Sequence, residues 1–155
     1  MKPAFEHAVR VYWEDTDAGG VVFYANYLKF FERARTEWLR SLGFEQETMR
    51  RQDGVMFIVS STNVRYLRPA RLDDSLQITV ALRELGRASM CLFQQASCGE
   101  RLLAEAEIRI GCVGANSAHD AAHNSTHNSA NAGGQEFKPT RMPARLLSAL
   151  QTIQP

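Results

Sequence analysis

Only one stretch of this chain has the period of an amphipathic helix. In residues 26–42, Tyr27, Phe30, Phe31, Ala34, Trp38 and Leu42 recur at steps of three and four, and Lys29, Arg33, Glu37 and Arg40 occupy the intervening face. That is the pattern of a helix with one buried stripe. Asn26 stands where an N-cap belongs, and Gly43 where a C′ glycine ends a helix. At 1.5 Å per residue such a helix is about 25 Å long, enough to lie across a whole sheet. No other segment offers a strong helix. Any sheet the chain builds must therefore take this helix as its cover.

The strands are legible as well. "AVRVYW" (8–13) alternates weakly, and "MFIVSSTNVRYLR" (56–68) is rich in β-branched and aromatic residues and stops at Pro69. "DSLQITVALREL" (74–85) puts Leu76, Ile78, Val80 and Leu82 on one face. After Gly86-Arg87 comes "ASMCLFQQAS" (88–97), and after Gly99-Glu100 comes "RLLAEAEIRIGCV" (101–113). There Leu102, Ala104, Ala106, Ile108, Ile110 and Cys112 point one way, and Glu105, Glu107 and Arg109 the other. Turn signals this close together predict antiparallel hairpins. The class is α+β: one long helix against a five-stranded antiparallel sheet.

Composition excludes several functions. A chain of 155 residues and 17.4 kDa supplies one core, and its net charge of +1 gives no footprint for nucleic acid. Cys91, Cys98 and Cys112 are odd in number and lack CxxC spacing, so they read as reduced thiols. No signal peptide or membrane-spanning run is visible, which leads to the expectation of a soluble, cytoplasmic protein. Residues 114–134 consist mainly of Ala, Asn, Ser, Gly and His. They lack the apolar surface to offset ordering entropy and are expected to form a disordered insertion. His119, His123 and His127 fall four apart there, and Ser125, His127 and Asp120 could be read as a triad. A tract of Asn, Ser and Gly holds neither a metal face nor catalytic geometry. No metal site is expected. Residues 135–155 form a tail with a short apolar run that could pack as a turn of helix.

The chemistry lies between the first strand and the helix, in "EDTDAGGVVFYANY" (14–27). As a calcium loop starting at Asp15 it fails, because position five is Gly19 and position twelve is Asn26. Two readings remain. Acidic-glycine clusters are common as plain turns. Alternatively, Gly19 and Gly20 admit a carbonyl to the unpaired N–H groups of the helix end, while Asp17 attacks it or activates water. A carboxylate is a weak nucleophile and suits a reactive acyl group such as a thioester. Spacing alone does not choose between them.

The segments "VRVYWEDTDAGGVVFYANYLKFFERARTEWLRSLG", "NVRYLRPARLDD", "LGRASMCLFQQA" and "LLAEAEIRIGCV" together resemble the hotdog-fold acyl-CoA thioesterases of the 4-hydroxybenzoyl-CoA thioesterase family. Within that family they are most similar to the Tol-Pal-associated (YbgC-type) subgroup. The resemblance covers about residues 8 to 113. It implies a hotdog domain over 1–113, an insertion outside the core, and a C-terminal tail. It also implies Asp17 as the catalytic aspartate, the backbone N–H of Tyr24 as the oxyanion donor, and a structural role for Asp15. Many members of the subgroup carry histidine where this chain has Tyr24, so only the backbone role transfers.

The expected substrate contacts are Gly19, Gly20, Val21, Asn26, Ser60, Ser61 and Arg65, with Ser60 and Ser61 reaching the site across a dimer. Arg65, Arg68 and Arg71 around Pro69 could meet CoA phosphates. The stripe Tyr27, Phe30, Phe31 and Trp38 is expected to be core and interface. The implied ligand is an acyl-CoA or acyl-carrier-protein thioester, with CoA only as part of the substrate and no other cofactor. Edge-to-edge dimers that pair into tetramers are also implied, as is association with envelope or lipid-synthesis proteins. A non-catalytic acyl-CoA or acyl-carrier-protein binding module of the same fold is the competing reading. A hotdog dehydratase is disfavoured, because its histidine is missing from the helix entry.

Overall fold

A computed structural model describes residues 2–115 and 137–153 of the chain. Most of the expected insertion, with His119, His123 and His127, lies outside the described residues.

Five strands, β1 (Phe5–Arg10), β2 (Val55–Tyr66), β3 (Ser75–Leu85), β4 (Ser89–Cys98) and β5 (Arg101–Gly114), form one sheet in the order β1-β3-β4-β5-β2. Every neighbouring pair is antiparallel. Helix α1 (Asn26–Ser41) covers one face of the sheet, as its period requires. Its buried side chains Tyr27, Phe30, Phe31, Ala34 and Trp38 meet Leu76, Ile78, Val80 and Leu82 of β3, with Ala104, Ala106, Ile108, Ile110 and Cys112 of β5 in the same core. The uncovered face carries cross-strand ion pairs, Arg83–Glu107 at 2.6 Å and Arg65–Glu105 at 2.8 Å. As the alternation predicts, charge is on one face and hydrocarbon on the other.

The two ends of α1 differ from each other. At the C-terminus Gly43 has φ +87, its N–H donates to Arg40 O, and the Phe44 N–H reaches Leu39 O at 2.9 Å. This is a Schellman closure, completed by burial of Phe44 and Leu39. At the N-terminus the expected cap is absent. Asn26 is already helical, Ala25 precedes it with αR torsions, and no side chain caps the helix. A turn closed by Asn26 N–H to Phe23 O feeds the chain directly into the helix, so the Asn26 side chain is free for another task.

Three other expectations shift. The first strand occupies 5–10 rather than 8–13 and takes in His7, because the chain turns through a 3-10 segment at Trp13–Asp15. In β5 a bulge sets Ser97 opposite Leu102 and Ala96 opposite Ala104. The extra residue, Leu103, then turns into the core in place of Leu102. Finally, α1 is followed by a second helix that hydrophobic periodicity does not reveal, α2 (Gln46–Gln52), in which only Met49 is buried. Glu47 on its first turn bonds Arg50 and Arg51 on its last.

The C-terminal segment closes the end of the layer. Thr140 N–H donates to Cys112 O and Met142 N–H to Arg87 O, and helix α3 (Ala144–Gln151) follows. Leu146, Leu147 and Leu150 join the core, while Arg145 pairs with Asp53 at 2.9 Å. The expected terminal turn is thus a helix of eight residues. No described helix is long and apolar enough to cross a membrane.

Candidate active site

The "EDTDAGG" segment is a tight hairpin with a carboxylate built into it. Asp17 N–H donates to Val21 O, Gly20 N–H to Asp17 O, and Thr16 bridges to Val22. Gly20 takes φ +74, the left-handed position that follows a turn in a three-residue hairpin loop. Gly19 has a separate task. Its N–H donates to Asp17 Oδ1 at 2.8 Å, and a Cβ added there would lie 3.1 Å from that oxygen. The exposed Asp17 carboxylate is therefore held by one oxygen. Oδ2 meets no hydrogen-bond donor among the described residues. The turn is structural, and the same turn holds the Asp17 carboxylate in place through one oxygen.

Asp15 anchors the hairpin to the fold. It is 4% exposed, and its Oδ2 accepts the Tyr12 N–H at 2.9 Å. Its carbonyl accepts both the Phe23 N–H and Asn26 Nδ2, each at 2.9 Å. Asn26 thus ties the first turn of α1 to the start of the hairpin. On the far side Val22 N–H donates to Ala70 O, Val21 bridges Arg71, and Ala70 N–H donates to Tyr27 Oη at 3.1 Å. The "RPAR" segment therefore supports the hairpin from below. Asp17, Gly19, Gly20 and Val21 thus share the hairpin, Asn26 is bonded to its start at Asp15, and Tyr24 follows in the turn that enters α1.

Tyr24 lies between hairpin and helix and is 63% exposed. Its N–H donates to no group among the described residues, and its carbonyl accepts Tyr66 Oη at 2.9 Å. A hollow of about 250 Å³ opens beside it, lined by Val22, Tyr24, Tyr27, Tyr66, Leu67, Arg68 and Pro69, so that Arg68, unlike Arg65, stands next to Tyr24. Tyr66 meets Tyr27 and Tyr24 edge-on, at centroid distances of 5.6 and 6.1 Å. Burial raises the pKa of Tyr66, and the neighbouring Tyr24 adds to the effect. Burial also raises that of Tyr27, opposed by the bond from Ala70. Both phenols are neutral hydroxyls at neutral pH, so Tyr66 can donate to the Tyr24 carbonyl. Sequence reading passed over Tyr66 as a site residue, although it stands inside the "NVRYLRPARLDD" segment.

Ser60, Ser61 and Arg65 lie elsewhere, on the edge strand β2. The register shifts between Val59 and Ser61, and the Ser60 hydroxyl donates to Arg109 O at 3.2 Å. Arg65 pairs with Glu105 on the sheet face opposite α1, whereas Arg68, in the lining of the hollow beside Tyr24, donates to Leu102 O. Cys91, Cys98 and Cys112 are free. Burial pushes the Cys112 thiol up to about 11, which leaves it protonated and inert as a nucleophile at neutral pH. Among the described residues, Asp17 is the exposed carboxylate that the hairpin holds in place.

This arrangement coincides with a family-wide match, in which residues 11–150 correspond to the Thioesterase-like superfamily. The chain belongs to that superfamily. It is 42% identical over 109 residues to the acyl-CoA thioesterase YbgC of Haemophilus influenzae, covering 70% of this chain and 80% of that protein. It is 46% identical over 110 residues to the acyl-CoA thioester hydrolase YbgC of Escherichia coli O6:H1, covering 70% of this chain and 81% of that one. Among solved structures, a probable thioesterase from Bartonella henselae superposes with a TM-score of 0.75 at 31% identity, covering 90% of this chain and all of that one. The resemblance to the YbgC-type thioesterases and the hotdog architecture are both borne out.

Proposed function

We propose that the protein hydrolyses acyl-CoA thioesters, or the chemically equivalent acyl-carrier-protein thioesters, at the Asp17 hairpin. The observation that carries this reading is an exposed carboxylate fixed through one oxygen, on a loop that also presents the unpaired Tyr24 N–H. The thioester carbonyl accepts the Tyr24 N–H, which stabilises the developing oxyanion. Asp17 then either takes a proton from a water that attacks the carbonyl carbon, or attacks that carbon itself to form a mixed anhydride that a water afterwards hydrolyses, freeing the aspartate. The C–S bond breaks, the thiol of CoA leaves with a proton, and the carboxylic acid is released. The YbgC proteins of H. influenzae and E. coli, named for this activity on acyl-CoA, support the reading. CoA is part of the substrate, and the mechanism calls on no other cofactor.

The working unit is a dimer joined through β2, which brings Ser60 and Ser61 of one copy towards the hairpin of the other, with tetramers as a further assembly. The cytoplasm is the compartment that fits an acyl-CoA pool. Association with envelope or lipid-synthesis proteins, as in the Tol-Pal-associated subgroup, belongs to the same proposal.

The test is thiol release across short-chain, long-chain and aromatic acyl-CoAs. Asp17→Asn keeps the shape and the acceptor for Gly19 but removes the charge. It should lower turnover at least about 100-fold with the melting temperature unchanged. Wild-type turnover in that variant sinks the mechanism. Binding without thiol release from any chain length would establish the non-catalytic module instead.

A further inference from the structure

β2 runs twelve residues along the edge of the sheet and carries its bulge at the midpoint, Ser60. Ala115 N–H donates to Gly54 O just before the strand, and Leu67 N–H donates to Leu103 O just after it. In an antiparallel ladder such bonded pairs recur at every second residue. Followed inward from both ends, the register bonds Met56 and Ile58 to β5 in the first half, and Ser61, Asn63 and Arg65 in the second. The N–H groups of Val55, Phe57 and Val59, and then of Thr62, Val64 and Tyr66, point away from β5. The bulge has moved the outward positions from odd-numbered to even-numbered residues.

That shift decides how a second copy can join the edge. About a two-fold axis, antiparallel strands bond only where an outward residue faces an outward residue. An axis between Ser60 and Ser61 sets Val55 opposite Tyr66, Phe57 opposite Val64 and Val59 opposite Thr62, so that every outward N–H named above is paired. A slip of one residue sets outward against already bonded positions. A slip of two leaves Val55 or Tyr66 unpaired. Phe57 stands opposite Cys112 and Tyr66 opposite Ala104, both in the core, so the outward residues share the face that α1 covers.

We infer that two copies pair through β2 in this centred register, and that the partner's Val55 and Phe57 complete the hollow beside Tyr24. Opposed residues of a bonded pair stand about 5.5 Å apart at Cα. Diagonal neighbours stand about 7–8 Å apart, within reach of an aromatic ring. Tyr66, whose hydroxyl holds the Tyr24 carbonyl and whose ring lines the hollow, therefore meets the partner's Val55 directly and the partner's Phe57 on the diagonal. Phe57 is only half-buried within its own chain and keeps surface for this contact. The register goes beyond the dimer proposed above, since Ser60 and Ser61 occupy the axis and the start of β2 reaches the other copy's helix entry. Its role in turnover rests on the thioesterase reading; the pairing itself does not.

The register can be read without activity. On the face away from α1, Ile58 of one copy lies opposite Asn63 of the other, about 4.5 Å apart at Cα and within disulfide range. Within one chain the two are about 16 Å apart along the strand. In a Cys98→Ser background, which removes the cysteine that is not fully buried, Ile58→Cys/Asn63→Cys should form a covalent dimer with oxidised glutathione. Met56→Cys/Ser61→Cys, four residues out of register, should not. Cross-linking of the second pair, or of neither, overturns the register. Phe57→Ala, or Phe57→Leu should the alanine variant not fold, should lower kcat/KM for the preferred acyl-CoA at least tenfold. Mixed dimers of one Asp17→Asn chain and one Phe57→Ala chain then decide which copy supplies the ring. Their working hairpin belongs to the chain without Phe57, so the partner's ring should restore wild-type kcat/KM per active site. A mixed dimer as impaired as the Phe57→Ala homodimer, or a homodimer with no loss, overturns the partner's contribution. If the Ile58–Asn63 cross-link forms but no thioester is hydrolysed, the thioesterase reading fails, and the pairing stands with Val55 and Phe57 placed beside Tyr66.

Discussion

Asp17 owes its usefulness to two glycines that do different things. Gly20 supplies a torsion, φ +74, with open space where its Cβ would be. Gly19 supplies room, since a methyl group there would sit 3.1 Å from the Asp17 oxygen that its own N–H holds. The two alanine variants should therefore fail differently. Gly20→Ala should cost roughly 1–2 kcal/mol of stability for the left-handed torsion, read as a lower melting temperature with kcat nearly kept. Gly19→Ala should melt near wild type but displace the carboxylate by a few tenths of an ångström, lowering kcat roughly tenfold, since a full 1 Å misplacement can cost about 100-fold. A kcat loss confined to Gly20→Ala would contradict this division of labour. Tyr66 offers a separate check on the helix entry. Tyr66→Phe removes the donor to the Tyr24 carbonyl and should cost about 1 kcal/mol of stability. It should lower kcat more than it raises KM, because the Phe23–Ala25 turn that presents the Tyr24 N–H loosens.

At the scale of elements, legibility followed whichever force shaped each one. Helix α1 and strand β3 are held by a buried apolar face, so period alone located them, and Gly43 marked a helix end that depends on a positive φ. The bulge at Leu103 was not legible, because its cause is the register of a neighbouring strand. Nor was the role of Asn26. A residue type that favours caps was placed at a helix start, but its amide spans eleven residues to Asp15, a contact that only the folded loop creates. At the site, Asp17 and its glycines were visible because the hairpin is local, whereas Tyr66 comes from forty-two residues away. Helix α2 lacked an apolar stripe, but its charges were readable, with an acid on the first turn and arginines on the last. Its pH behaviour follows. The bonds from Arg50, with Arg51 adding to them, lower the Glu47 carboxyl from 4.5 to about 2. A depressed carboxylate pKa contributes stability that is complete above the unfolded-state value and is lost as pH falls through the folded one. The Glu47 side-chain carbon should therefore keep its ionised NMR shift well below pH 4.5 and titrate near 2. A midpoint at 4.5 would show that the α2 ion pairs do not persist in solution.

For the molecule as a whole the decisive asymmetry is between the two edges of the sheet. β1 is six residues long, while β2 is twelve. Val59 of β2 is 50% exposed, and Tyr66 at its end, Leu67 just beyond it, and Phe23, Tyr24 and Leu28 around the helix entry are exposed large hydrophobic residues. A long edge with unpaired N–H and C=O groups beside apolar side chains templates pairing with another chain. A second copy related by a two-fold axis is self-complementary to it. The chain, at 17.4 kDa, should therefore sediment at twice its mass. Neighbouring residues of a strand direct their N–H groups to opposite sides, so a proline scan of β2 separates the edge from the fold. Of Thr62→Pro and Asn63→Pro, one removes an N–H that faces outward and the other an N–H bonded to β5. The first should sediment as a folded monomer with its melting temperature largely kept, and the second should melt markedly lower. Two folded dimers would refute pairing through β2. If the folded monomer still turns over acyl-CoA at the wild-type rate, the Asp17 hairpin is complete within one chain, and Ser60 and Ser61 serve only the seam. If turnover is lost in the folded monomer, the hairpin needs the second copy.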